Sequence, residues 1–85
     1  MSKYEKLYQK ALSSPNNFRF DDLCRLAESA GFEFVKTEGS HKLYKHDSYP
    51  NRMNFQNKNG NAKPYQVQQL LAFIENVKKN EVQNV

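Results

Sequence analysis

Residues 20–46, FDDLCRLAESAGFEFVKTEGSHKLYKH, contain a change of hydrophobic period from which the fold can be worked out. Over residues 22–30 the apolar side chains recur at helical spacing and form one stripe. Gly31 follows directly, as glycine often does at the left-handed residue that ends a helix. From Phe32 onward apolar and polar residues alternate, which is typical of a strand. The stretch therefore predicts a helix, a sharp stop, and a strand that a Glu-Gly-Ser turn reverses into a hairpin.

Two capping residues and a proline mark the ends of the predicted helices. Ser2 is the expected N-cap of a first helix, and Asp21 is the expected N-cap of the second. Pro15 lies in a Ser-Ser-Pro-Asn-Asn run that ends the first helix, because proline removes a backbone donor and Ser and Asn favour turns. The predicted elements in chain order are helices at residues 3–13, at 22–30 and from about residue 64, and strands at 32–37, 41–46 and 52–56.

The order of these elements, α-α-β-β-β-α, predicts an α+β fold with a three-stranded antiparallel sheet. A chain of 85 residues has room for a single domain over residues 1–85, and residues 80–85 are expected to form a frayed tail. So short a chain cannot bury both faces of the sheet, so the helices should cover one face and leave the other open to solvent. Strand alternation places either Leu43 or Tyr44 in the core, and the period alone does not say which.

The composition excludes several classes of protein. A mean hydropathy of −0.94 is polar for a folded protein, but six Phe and five Tyr are too many for a disordered chain. The single cysteine, Cys24, excludes an intrachain disulfide and a cysteine-based zinc site, and it suggests a reducing compartment. The longest apolar run, residues 70–74, is too short to span a membrane, and the first residues do not resemble a secretory signal. We therefore expect a cytoplasmic protein with no membrane partner.

The positive charge is concentrated in one third of the sequence. Residues 36–63 contain six bases and two acids, which accounts for the whole net charge of +4, because the rest of the chain holds seven of each. Both histidines and several aromatic residues lie in the same segment. A basic segment with interspersed aromatics suits a polyanion, most commonly nucleic acid, although a solvated region with ordinary lysines fits the charge equally well.

The run Gly39-Ser40-His41 brings together groups that RNA cleavage without a metal requires. In that reaction the 2′-hydroxyl loses a proton, the leaving 5′-oxygen gains one, and cations or N–H groups offset the negative charge. Histidine exchanges protons near neutral pH, and glycine lets the backbone approach a phosphate. A lone histidine is more often structural, so the pattern permits this chemistry without requiring it. His46 should point to the opposite face, which makes it a poor metal partner, and is expected at the surface.

Two segments of the chain resemble the HicA family, the small toxins of HicA–HicB type II toxin–antitoxin systems. The first runs through residues 20–32, FDDLCRLAESAGF, and is followed by GSHKLY at residues 39–44. The second, AKPYQV at residues 62–67, resembles the opening of the final helix in one branch of the family. The resemblance covers roughly residues 7–75. One departure is clear, since many members have Pro-x-His after the third strand and residues 54–57 of this chain read Asn-Phe-Gln-Asn.

The resemblance implies a fold like that of double-stranded-RNA-binding domains, with residues 3–13 as an additional N-terminal helix. It also implies mRNA interferase activity with His41 as the active histidine, and a HicB-like antitoxin that covers the His41 face. We expect this ribonuclease to work without a metal or another cofactor and to be monomeric when free. Alternatives are a non-catalytic RNA-binding module and a basic protein-interaction domain. Residues expected to contact RNA are Lys36, Gly39, Ser40, Lys42, Lys45, Arg52 and Lys63.

Overall fold

The computed structural model describes the backbone of residues 2–83 and the side chains of residues 2–78, and this part of the chain forms three α-helices and one sheet. The sheet has three antiparallel strands in the order β1-β2-β3. The α+β class and the predicted order of elements are confirmed. The elements are α1 (Lys3–Ser13), a 3₁₀ turn (Pro15–Asn17), α2 (Phe20–Ser29), β1 (Glu33–Glu38), β2 (His41–His46), β3 (Tyr49–Gln56) and α3 (Pro64–Gln83).

The two N-terminal helices begin for different reasons. The Ser2 hydroxyl accepts from the Glu5 backbone N–H at 3.2 Å, which is the predicted side-chain cap of α1. The second helix begins at Phe20, two residues before the predicted start, and the predicted Asp21 cap is wrong. Arg19 is its N-cap and makes no side-chain capping bond. The Phe20 N–H instead donates to the Gly60 carbonyl at 3.0 Å, so a distant loop replaces a local cap.

Helix α2 ends as the sequence predicts, with Gly31 as the left-handed residue that follows it. Gly31 has φ +99°, a left-handed conformation that a residue with a Cβ rarely adopts. The Gly31 N–H donates to the Glu28 carbonyl and the Phe32 N–H donates to the Ala27 carbonyl, at 3.1 and 3.0 Å. These two bonds are the paired capping bonds of a Schellman motif. They turn Phe32 back into the core, where it is 3% exposed, before β1 begins.

Strand β3 is longer than predicted, because it begins at Tyr49 rather than at residue 52. Only Asp47 and Ser48 separate it from β2, and the pairing shifts register between Tyr44 and His46. The expected turn over residues 47–51 is therefore wrong beyond its first two residues. Pro50 is accommodated because β3 lies at the edge of the sheet, where a strand can lose one backbone donor.

The core lies between the sheet and the three helices. Tyr44, Met53 and Phe55 enter it from the sheet and are at most 1% exposed, while Leu43 lies on the other face. Residues that pair across neighbouring strands share a face, so the pairs formed with Leu43 and His41 define the uncovered side. We call this side the open face. It carries Lys36, Glu38, His41, Leu43, Asn54 and Gln56.

Helix α3 places its predicted apolar stripe against the core. Val67, Leu70, Leu71, Phe73 and Ile74 are all buried, and Val77 packs against them. The helix continues to Gln83, and Asn84 and Val85 lie outside the described residues. The expected frayed tail over residues 80–85 thus stays a prediction. Among the residues that the structure describes, no helix is both long and apolar enough to cross a membrane.

Candidate functional site

His41 is the first residue of β2 and follows the turn Gly39-Ser40 directly. Its strand neighbours are Glu38 on β1 and Gln56 on β3, so the imidazole stands between two strands on the open face. Gly39 has φ +59°, and nothing lies within 4 Å of the position that a Cβ would take there. The glycine is therefore required by the backbone turn, while the space beside it remains open to a ligand.

The His41 ring makes one hydrogen bond within the described chain. Its Nδ1 lies 2.7 Å from Oδ1 of Asn54 on β3. An amide oxygen only accepts hydrogen bonds, so this contact is a hydrogen bond in those forms of the ring that carry a proton on Nδ1. The other ring nitrogen, Nε2, has no protein partner among the described residues. The half-buried imidazole thus has one nitrogen held by the sheet and one available to a ligand.

A carboxylate and a lysine accompany the histidine on the open face. Lys36 Nζ lies 2.7 Å from Glu38 Oε1. The hydrogen bond and the positive charge of Lys36 lower the pKa of the Glu38 carboxyl, and the nearby His41 lowers it further. Glu38 is therefore an ionised carboxylate at neutral pH. It partly neutralises Lys36 and places a negative charge beside the imidazole.

The predicted RNA contacts do not all lie together. Lys36 is on the open face and Lys45 is exposed near the other end of β2, where it lies 3.8 Å from Glu33. Arg52 is exposed and makes no ion pair within the described residues. Lys42 pairs with the buried Phe55, so it lies on the helix side of the sheet. Its ammonium group is 5.8 and 5.9 Å from the centroids of the Phe20 and Phe34 rings.

Lys63 lies in an open groove near one end of the sheet, and His41 lies at the same end. The groove has a volume of about 480 Å³, and Lys58 and the exposed Tyr65 line it together with Lys63. The loop that carries the groove is tied to the site, because the Asn57 N–H donates to the Ser40 carbonyl at 2.8 Å. The structure thus brings Lys63 to the His41 end of the molecule.

Gln66 is a contributor to the site that the sequence did not reveal. It is the buried polar side chain of the described core, at 4% exposure. Its Oε1 accepts from the backbone N–H of Gln56, the strand neighbour of His41, at 2.8 Å. This bond fixes the last residue of β3 against the start of α3. A glutamine on a helix carries no signal of such a role, because the contact depends on how α3 packs.

His46 is packed among aromatic side chains. It lies on the helix side of β2, where its ring centroid is 5.0 Å from that of Phe32 and 4.8 Å from that of Phe73. Its Nδ1 accepts from the Ser48 backbone N–H at 2.9 Å. The expectation of a simple surface position is wrong, since His46 is half-buried in an aromatic cluster. The opposite orientation of the two histidines agrees with the strand period.

Cys24, in α2, offers a thiol away from the open face. This thiol is buried, and burial raises its pKa, so it is a poor nucleophile at neutral pH. Within the described residues, no group of three or more His, Cys, Asp or Glu side chains is arranged to hold a metal ion.

A three-stranded antiparallel sheet with helices on one face and the other face open is the architecture of a domain like the double-stranded-RNA-binding fold. A family model described as the HicA toxin of bacterial toxin–antitoxin systems matches residues 20–75, which is more than half of the chain. The chain therefore belongs to the HicA toxin family. It is the toxin component of such a system, which implies an antitoxin partner. Comparisons with curated proteins and with solved structures found no match.

Proposed function

We propose that this toxin is an mRNA interferase, a ribonuclease whose acid–base chemistry centres on His41. The observation that carries the proposal is the arrangement of the His41 ring. Asn54 holds Nδ1, and Nε2, on the open face of the sheet, has no protein partner among residues 2–78. The membership of the HicA family supports a toxic activity, and the basic segment supports a polyanionic substrate.

The proposed reaction is an internal transesterification of RNA. The 2′-oxygen forms a bond to the adjacent phosphorus, and the bond from phosphorus to the 5′-oxygen breaks. The 2′-hydroxyl gives up a proton and the leaving 5′-oxygen takes one, so the products are a 2′,3′-cyclic phosphate and a 5′-hydroxyl. His41 performs one of the two proton transfers through Nε2, which can accept a proton when neutral and donate one when charged.

The cations around the site bind and orient the substrate. Lys36, Lys45 and Arg52 are exposed on the sheet, and Lys63 lies in the groove beside the His41 turn. Gly39 and Ser40 leave room for a phosphate to approach the backbone of that turn. Lys42 also contributes positive charge, but from the other side of the sheet. Since these contacts are mainly to phosphates, RNA affinity falls as salt concentration rises.

A HicB-like antitoxin neutralises the toxin by covering the open face. In the part of the chain that the structure describes, the helices lie on the other side of the sheet, and this face carries the proposed reactive nitrogen, so a partner seated there blocks RNA from His41. The substrate is mRNA, and the site of action is the cytoplasm.

The direct test compares wild type with His41→Ala on a synthetic RNA in EDTA. We expect cleavage by wild type, a product ending in a cyclic phosphate, and no cleavage by the variant. His46→Gln is the matched histidine control, because His46 lies on the other face, and it should retain activity once circular dichroism has confirmed its fold. Cleavage that persists in His41→Ala or needs an added metal contradicts the proposal. Intact RNA with a band shift on duplex indicates an RNA-binding module instead.

A further inference from the structure

We infer that Asn54 is a positioning residue for His41, selecting which nitrogen of the ring exchanges protons with the substrate. The inference rests on the proposed function for its catalytic consequence, although the contact itself can be measured without any activity. Asn54 lies on β3 and His41 on β2, and their side chains meet at 2.7 Å on the open face.

The backbone that carries Asn54 is firmly held. Met53 and Phe55, its two neighbours in the chain, are fully buried on the opposite face of the sheet. The pairs Leu43–Asn54 and His41–Gln56 fix the register of the two strands, so Asn54 reaches His41 diagonally across the ladder. The amide oxygen is therefore presented from a rigid strand rather than from a loop, which suits a group that orients another.

The contact determines the tautomer of the neutral imidazole. A neutral ring carries one proton, and the oxygen of Asn54 accepts only if that proton is on Nδ1. The lone pair is then on Nε2, the nitrogen that has no protein partner in the described chain. Without Asn54 the proton of the neutral ring is free to move to Nε2, which then has no lone pair with which to accept a proton.

The contact also suits both protonation states of the ring. Nδ1 carries a proton in the charged imidazolium as well, so the bond to Asn54 persists when Nε2 is protonated. The charged groups facing His41 are Glu38 on β1 and its partner Lys36. Its neighbours on β3, Asn54 and Gln56, are uncharged. An amide thus orients the imidazole without adding a charge, whereas a carboxylate at position 54 would favour the imidazolium.

The test combines NMR with kinetics on the full chain. Two-bond ¹H–¹⁵N correlation spectra report which ring nitrogen is protonated, and we compare wild type with Asn54→Ala and Asn54→Asp. Asn51→Ala is the matched control, since Asn51 is an exposed asparagine on the same strand. We expect the Nδ1–H tautomer in wild type and in Asn51→Ala, and a shift toward the Nε2–H tautomer in Asn54→Ala.

The kinetic arm separates positioning from folding. Asn54→Ala should lower kcat about 10- to 100-fold with little change in KM, the size of loss found when the hydrogen-bond partner that orients a metal-binding histidine is removed. Asn54→Asp should keep the Nδ1–H tautomer, recover part of kcat and move the pH–rate profile to higher pH. An Nε2–H tautomer in wild type, or unchanged spectra and rates in Asn54→Ala, overturns the inference. If wild type shows the Nδ1–H tautomer but does not cleave RNA, the proposed function and the catalytic role of Asn54 fail, and only the contact stands.

Discussion

The backbone N–H of Asn57 donates to the carbonyl of Ser40 at 2.8 Å, so the loop after β3 is joined to the turn that presents His41. Lys58 and Lys63, further along the same loop, line an open groove. Under the proposed function, we expect an RNA strand bound at His41 to extend toward these two lysines.

Replacing Lys63 with alanine should weaken RNA binding without changing the chemical step. We expect a higher KM, an unchanged kcat, and a plot of log affinity against log salt whose slope is smaller by about one, because one phosphate contact is lost. Filter binding between 50 and 200 mM salt measures the slope. Lys6→Ala is the control, since Lys6 is exposed on α1, away from the open face. Equal slopes for wild type and Lys63→Ala would show that Lys63 does not contact RNA.

Replacing Glu38 with glutamine should strengthen RNA binding. Glu38 pairs with Lys36 at 2.7 Å, and its ionised carboxylate repels phosphate. Removing that charge leaves Lys36 free for RNA, so the salt slope should steepen by about one. Binding is measured in a His41→Ala background to prevent cleavage, with Glu5→Gln on α1 as the control. Weaker binding by Glu38→Gln than by the control would rule out this reading of the ion pair.

Comparing two glycine substitutions should separate the stability cost of an unfavourable backbone conformation from the stability cost of a steric clash. Both Gly31 and Gly39 have positive φ, so alanine at either should cost about 1–2 kcal/mol of stability. A Cβ at residue 31 would also lie 2.9 Å from His46 Nε2, whose ring is held between Phe32 and Phe73. Gly31→Ala should therefore lose more unfolding free energy than Gly39→Ala in urea denaturation. The opposite order would contradict the packing around His46.

The hydroxyl of Tyr8 should make the fold sensitive to alkaline pH. Burial, together with the hydrogen bond to the Glu75 carboxylate, raises the pKa of Tyr8 to about 12. The unfolded chain releases this proton near pH 10, so the contribution to stability is complete below pH 10 and is lost as the pH rises towards about 12. Urea midpoints measured from pH 9 to 12 should fall less steeply for Tyr8→Phe than for wild type. Parallel curves would show that Tyr8 does not titrate differently on folding.

Local patterns in the sequence were sufficient to predict most of the fold. The apolar stripes predicted the helices, and the position of Gly31 predicted the end of α2, because both depend on neighbours within a few residues. Features that depend on distant contacts were missed. The start of α2 is set by the carbonyl of Gly60, and the early start of β3 depends on a register shift beside Tyr44.

The candidate site shows the same difference between features set by nearby residues, which were predicted, and features set by distant contacts, which were not. His41 was predicted from its turn, its lysines and its resemblance to a family, and all of these are readable along one stretch of chain. The sequence did not reveal on which side of the sheet Lys42 lies. It also did not reveal that Asn54 is the hydrogen-bond partner of the imidazole. Both follow from which of Leu43 and Tyr44 enters the core, and Tyr44 does so because its ring packs against Phe55 and its hydroxyl donates to Glu28 at 3.0 Å. Once that choice is known, the pairing of β2 with β3 brings Asn54 to His41.

Pro50 bears on how other chains can approach this sheet. It lies in β3, whose outer edge is unpaired in the described structure, and it offers no N–H to an incoming strand. A proline at such a position discourages intermolecular strand addition, which is a common route to aggregation. Strand addition at the β3 margin is therefore disfavoured around Pro50, whereas the exposed surface of the sheet, on which the imidazole lies, has no such obstacle to a partner that packs side chain against side chain.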